Sequence, residues 1–185
     1  WLLVGGWLSV VAALLHIACV FGGPDWYRFF GAGEGMARAA ATAQPLVDRL
    51  AIVPEAIANL GEVDRYGVDY ANAEIIRARG EAEWRRFLGD PIGYFGIDPK
   101  RFRSETLDAY ADLLARRHLE TVAIFTHGFP INILLGQALG LDGMGHFLPD
   151  YGSITRLAGS SLDRLAVVSV NETAHLSGRF SGASA

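Results

Sequence analysis

The apolar positions change their period several times along the chain, and each change marks an element. Residues 2–23 carry no formally charged side chain and show no amphipathic period. From 36 to 50, Ala39, Ala40, Ala43, Leu46, Val47 and Leu50 recur at helical spacing, with Pro45 as a point of bending or restart. Residues 51–59 read as extended or irregular, and 60–67 as a loop bearing both signs of charge. A charged helical pattern follows over 71–88, broken near Gly80, with Trp84, Phe87 and Leu88 as packing residues. Gly89-Asp90-Pro91 and Tyr94-Phe95-Gly96 then punctuate a loop. A helix is expected over 100–117, with Ser104 capping its regular part and Leu107, Tyr110, Ala111 and Leu114 facing inward.

The run Thr-Val-Ala-Ile-Phe-Thr at 121–126 is rich in β-branched residues and predicts a buried strand. His127-Gly128 follows, and then Ile131, Leu134, Leu135, Ala138 and Leu139 at helical spacing. This strand, turn and helix put His127 at the carboxyl end of a strand, where open α/β sheets bind ligands. The free N–H groups of the next helix attract anions, so the position suits a phosphate. A lone histidine in such a place is more often a core or capping residue, and only its surroundings change that balance. Two further strands are expected at 153–157 and 165–170, with a turn over 160–163. The small, polar tail 179–185 is expected to be disordered.

Composition narrows the function. The 16 basic and 20 acidic residues leave a net charge of −4, which argues against a nucleic-acid partner. The single cysteine, Cys19, excludes a disulfide framework and a cysteine metal site, and no His, Asp and Glu cluster has ligand spacing, so no metal is expected. The hydrophobic fraction of 51% is concentrated at the start of the chain. There, residues 2–23 just reach the length of about 20 apolar residues that crosses a bilayer. Trp1 at one end and Trp26, Tyr27, Phe29 and Phe30 at the other resemble interfacial aromatic belts. Gly5, Ser9 and Ala13 form a small-residue stripe for helix packing. Residues 1–30 are therefore expected to span a membrane once. A signal peptide is disfavoured by the missing basic n-region, and a buried soluble helix remains the rival. Arg28 and Arg38 after the span put the globular part in the cytoplasm, and the whole chain is cytoplasmic if the segment is not a true span. A first residue of Trp rather than Met is what a fragment would show.

Several ordered motifs resemble the histidine phosphatase superfamily, with its phosphoglycerate-mutase-like fold. They are Thr-Val-Ala-Ile-Phe-Thr-His127-Gly128, Gly152-Ser153-Ile154-Thr155-Arg156-Leu157, and Val170-Asn171-Glu172-Thr173-Ala174-His175-Leu176. Arg38-Ala39 with Thr42-Ala43, and Leu60-Gly61-Glu62, fit the same family, so the resemblance covers about 36–176. It implies an α/β, three-layer sandwich and phosphoryl transfer through a phosphohistidine. Such a reaction needs in-line positioning and donors around the equatorial oxygens. By this resemblance His127 and Gly128 bind phosphate, Arg38 is a second phosphate ligand, and Glu62 is the proton donor, with His127 and Glu62 the catalytic pair. No cofactor is implied. The partner is a phosphorylated small molecule or a phosphoprotein, and the segment 70–102 does not choose between them.

One departure is large. The family's nucleophile lies in an Arg-His-Gly motif at the end of the first strand, and the sequence contains no such motif. His16, in Leu-Leu-His-Ile-Ala, has no arginine or glycine neighbour and is not assigned as its replacement. The expected organisation is a membrane segment at 1–30, a Gly-rich junction at 31–35, a truncated phosphatase-like domain lacking its first strand at 36–178, and a tail. The expected activity is phosphomonoester hydrolysis, impaired by the missing nucleophile. Its alternatives are an inactive phosphate-binding or structural remnant, or a small membrane protein with a fused extension.

Overall fold

The computed structural model describes the backbone of residues 34–117 and 119–176, with side chains from residue 39 onward. The expected membrane segment, its Gly-rich junction up to residue 33 and the tail beyond 176 lie outside the described residues. Among the described residues no helix is long and apolar enough to cross a membrane. The chain divides into two compact units, 1–58 and 59–185.

In the first unit, helix α1 (Glu34–Leu50) continues through Pro45 and does not restart there. In the second unit, the pattern broken at Gly80 becomes two helices, α2 (Ala73–Ala78) and α3 (Glu81–Gly89). Gly80 separates them at φ +111°, a conformation other residues rarely adopt, in open space. Helix α4 (Pro99–Arg116) starts earlier than expected. Asp98 caps it by accepting from the Lys100 N–H at 2.9 Å, Pro99 occupies the first turn, and Ser104 lies inside the helix. Its buried stripe is Phe102, Thr106, Tyr110 and Leu113, while Ala111 is exposed. The face is thus set by the large aromatic residues, two turns apart, rather than by the aliphatic series alone.

Helix α5 (Gly128–Leu139) follows His127 and ends at Gly140 in the left-handed conformation, φ +66°. It buries Pro130, Asn132, Ile133, Leu135 and Gly136, and leaves Leu139 exposed. The expected face is therefore rotated, with a polar residue inside it. Helices α4 and α5 pack together, and α5 also packs against the hairpin that follows. That hairpin is β1 (Ile154–Ala158) and β2 (Ala166–Glu172), antiparallel, with a short 3₁₀ turn at Leu162–Arg164. Irregularities on either side of Arg156 shift the register, and Asn171 takes φ +56° at the far end, where asparagine is tolerated.

The strand expected at 121–126 is corrected. The segment is extended, with no turn or bend, but no backbone ladder holds it, and the described sheet has two strands only. A β-branched sequence makes extension cheap, yet a strand exists only where a neighbour supplies hydrogen-bond partners. Nor is the segment buried, since Val122, Ile124 and Phe125 are all exposed.

Two apolar clusters join the helices. Val63, Ile92, Ile97, Phe102 and Ile133 form one, and Ala71, Ile76 and Phe87 the other. Phe129 belongs to the margin of both, its ring 6.3 Å from that of Phe102 and 6.4 Å from that of Phe87. The first turn of α5 is thereby fixed by the core.

Candidate functional site

The site forms where the loop at 60–62 meets the start of α5. Thr126 donates its hydroxyl to the Leu60 carbonyl at 2.5 Å, and the Phe129 N–H donates to Glu62 Oε1 at 2.8 Å. These two bonds link stretches more than sixty residues apart and set the Glu62 carboxyl at the N-terminus of a twelve-residue helix, next to Gly128. A Cβ on Gly128 would sit 3.7 Å from Glu62 Oε1, in ordinary contact. His127 is the N-cap residue, with extended backbone, φ −128° and ψ 179°, and its carbonyl accepts the Ile131 N–H at 3.2 Å. Its Nε2 is buried. The structure thus brings Glu62 beside Gly128, the residue that follows His127 in the chain.

Glu62 is only 4% exposed. Burial pushes its pKa up to about 8, outweighing the opposite pull of the Phe129 N–H. At neutral pH it is therefore a carboxylic acid. Oε1 accepts from Phe129, and Oε2 is buried without a hydrogen-bond partner among the described residues. A neutral acid at a helix N-terminus donates a proton or a hydrogen bond to an anion without repelling it.

Two residues that position this group were not evident beforehand. Arg65 lies in the stretch expected to be a charged loop, and its guanidinium is inside. It donates to the Asn59 carbonyl at 2.5 Å, the Gly61 carbonyl at 3.0 Å and Thr106 Oγ1 at 3.2 Å, and lies 4.1 Å from the centre of the Phe102 ring. It ties the loop carrying Glu62 to α4. The second is Asn132, which donates from Nδ2 to the Gly128 and Phe147 carbonyls at 2.9 and 2.8 Å, and accepts the Phe147 N–H at 2.8 Å. Its signal was present in the sequence as a polar residue amid the apolar run of α5.

Arg38 belongs to α1 in the first unit, and its side chain lies outside the described residues. Two other histidines act locally: His146 Nε2 is 2.6 Å from the Asp142 carbonyl and His175 Nε2 is 3.0 Å from the Gly152 carbonyl. In the closing motif, Glu172 accepts from Ser169 and Arg156, which hold its carboxyl below the usual range. Asn171 there exchanges hydrogen bonds with Asp150, at 2.8 and 2.9 Å. Among the described residues no His, Cys, Asp and Glu side chains gather as a metal site.

The sequence profile of the histidine phosphatase superfamily (branch 1) matches residues 35–173, about three quarters of the chain. The chain belongs to the histidine phosphatase superfamily. In this superfamily member the matched span contains Arg38, Glu62, His127, Gly128 and the Asn171–Glu172 pair, and it ends just before His175. No curated protein and no solved structure matches the chain.

Proposed function

We propose that the second unit binds the phosphoryl group of a phosphomonoester at His127 and the N-terminus of α5, with Glu62 as proton donor. Its hydrolysis, by the phosphohistidine route of the superfamily, is impaired because the sequence carries no Arg-His-Gly nucleophile. The observation that carries this reading is the buried Glu62, its pKa pushed up to about 8, hydrogen-bonded to the Phe129 N–H two residues past His127. The fold is the three-layer sandwich of the superfamily without its first strand. The ligand is a phosphorylated small molecule or a phosphoprotein. The N-terminal segment 1–30 tethers the chain to a membrane, with the globular part in the cytoplasm.

The roles follow from charge. A helix N-terminus supplies unpaired N–H donors to the equatorial oxygens, and a neutral Glu62 beside a dianion has no charge to repel it. Above pH 8 the ionised carboxylate opposes the ligand.

Titration of the full chain with inorganic phosphate, followed by phosphorus NMR or calorimetry, tests the binding. Affinity is expected to fall at least tenfold in His127→Ala, and to fall in the wild type as pH passes 8, a decline that Glu62→Gln abolishes. Phosphate binding that is absent, or equal in wild type and His127→Ala, overturns the reading. With p-nitrophenyl phosphate, slow turnover without an acid-labile phosphohistidine is expected. Rapid turnover with such an intermediate overturns the impairment and favours an intact enzyme.

A further inference from the structure

The N-terminus of α5 already holds a group of its own chain. Of its first residues, Pro130 has no N–H, the Phe129 N–H donates to Glu62 Oε1 at 2.8 Å, and the Gly128 N–H has no acceptor among the described residues. The His127 side chain does not cap the helix, so the carboxyl brought in by the loop at 60–62 stands where an anion would sit. A phosphoryl group bound beside this contact meets one N–H of the first turn. Bound in place of it, the group meets two.

The contact is also only half satisfied. Glu62 is 4% exposed, yet its Oε2 has no hydrogen-bond partner among the described residues, and a buried polar oxygen left in that state is costly. A ligand oxygen that accepts the Phe129 N–H, with a second that accepts from the neutral carboxyl, exchanges one hydrogen bond for two. The backbone on both sides is held. The Phe129 ring lies 6.3 Å from that of Phe102 and 6.4 Å from that of Phe87, while the Glu62 carbonyl accepts the Arg65 N–H at 3.2 Å and Val63 beside it is fully buried. The Glu62 side-chain torsions are left as the coordinate along which the contact opens.

We propose that Glu62 is a displaceable internal occupant of the α5 anion site, holding the Phe129 N–H in the ligand-free chain and giving it up to the phosphoryl group, so that binding itself turns the acid toward the ligand. This rests on the phosphoryl binding proposed above and adds the coupling between that binding and release of the acid.

NMR of the full, isotopically labelled chain at neutral pH, with inorganic phosphate as the probe, tests the exchange. In the ligand-free chain a scalar coupling across the hydrogen bond is expected between the Phe129 amide nitrogen and the Glu62 carboxyl carbon. At saturating phosphate that coupling is expected to vanish and one between the same nitrogen and phosphorus to replace it. In ligand-free Glu62→Ala the Phe129 amide is expected to exchange roughly tenfold faster than in the wild type, and phosphate is expected to slow it again. Glu62→Gln keeps an acceptor oxygen of the same reach and should keep the slow exchange. A coupling to Glu62 that persists in the phosphate-saturated chain overturns the proposal and makes Glu62 a fixed cap, while phosphate binding stands. So does phosphate binding to Glu62→Ala that leaves the Phe129 amide fast. A chain that binds no phosphate overturns the binding reading itself, and the displacement with it.

Discussion

Removing the Glu62 carboxyl group from water costs more than the hydrogen bond from Phe129 and the charge of Arg65 return, so its pKa is pushed up to about 8. The same shift is a statement about stability. Below an ordinary pKa of 4.5 both folded and unfolded chains are protonated at Glu62 and the full stability is present. As pH rises from 4.5 to about 8 the unfolded chain ionises while the folded one does not, and stability is lost across that window. Urea denaturation at pH 5 and at pH 8 is expected to show a wild-type loss on the order of 2–4 kcal/mol, absent from Glu62→Gln. A second expectation concerns Arg65. Removing its guanidinium leaves carbonyls at Asn59 and Gly61 without this donor, so Arg65→Ala should cost about 2–4 kcal/mol, measured by denaturant midpoint at constant slope. Arg65→Lys should recover only part of this, since a single ammonium cannot reproduce a planar fork. Glu62 is singled out in the sequence by its Leu-Gly-Glu context, whereas nothing in Asp64-Arg65-Tyr66 distinguishes a buried guanidinium from a solvated one.

Among the elements, helix starts and stops were largely readable because they depend on neighbours in sequence. Gly80 is the clearest case: its positive φ ends α2 and opens α3 with no tertiary contact at its Cβ position. Gly80→Ala should therefore cost about 1 kcal/mol through backbone strain alone, a value that thermal unfolding resolves. Faces were less readable. The spacing in α5 fits more than one apolar stripe, and packing against α4 and the hairpin chose the one that buries Asn132. Once buried, that side chain had to be satisfied, and the Phe147 backbone satisfies it. Asn132→Leu is expected to lose about 2–3 kcal/mol and to speed exchange of the Phe147 amide, because the volume is kept while the backbone groups lose their partner.

For the whole molecule, the proposed membrane attachment has a direct test. Deleting residues 1–35 is expected to release the product from membranes without detergent, and a product that stays bound would count against a span at 1–30. The chain's own order also decided which parts of the site are described together. Glu62, His127 and Gly128 all fall in the second unit, while Arg38 falls in the first. Sequence alone determined the helical stretches, the hairpin at 154–172 and the superfamily, because these rest on local backbone preferences and on residue order. Tertiary structure alone decided that Glu62 is a neutral acid, that Arg65 and Asn132 hold the site, and that 121–126 is extended without being a strand. Each of these depends on what surrounds a group: the water it loses, the partners it finds, or the neighbouring strand it lacks.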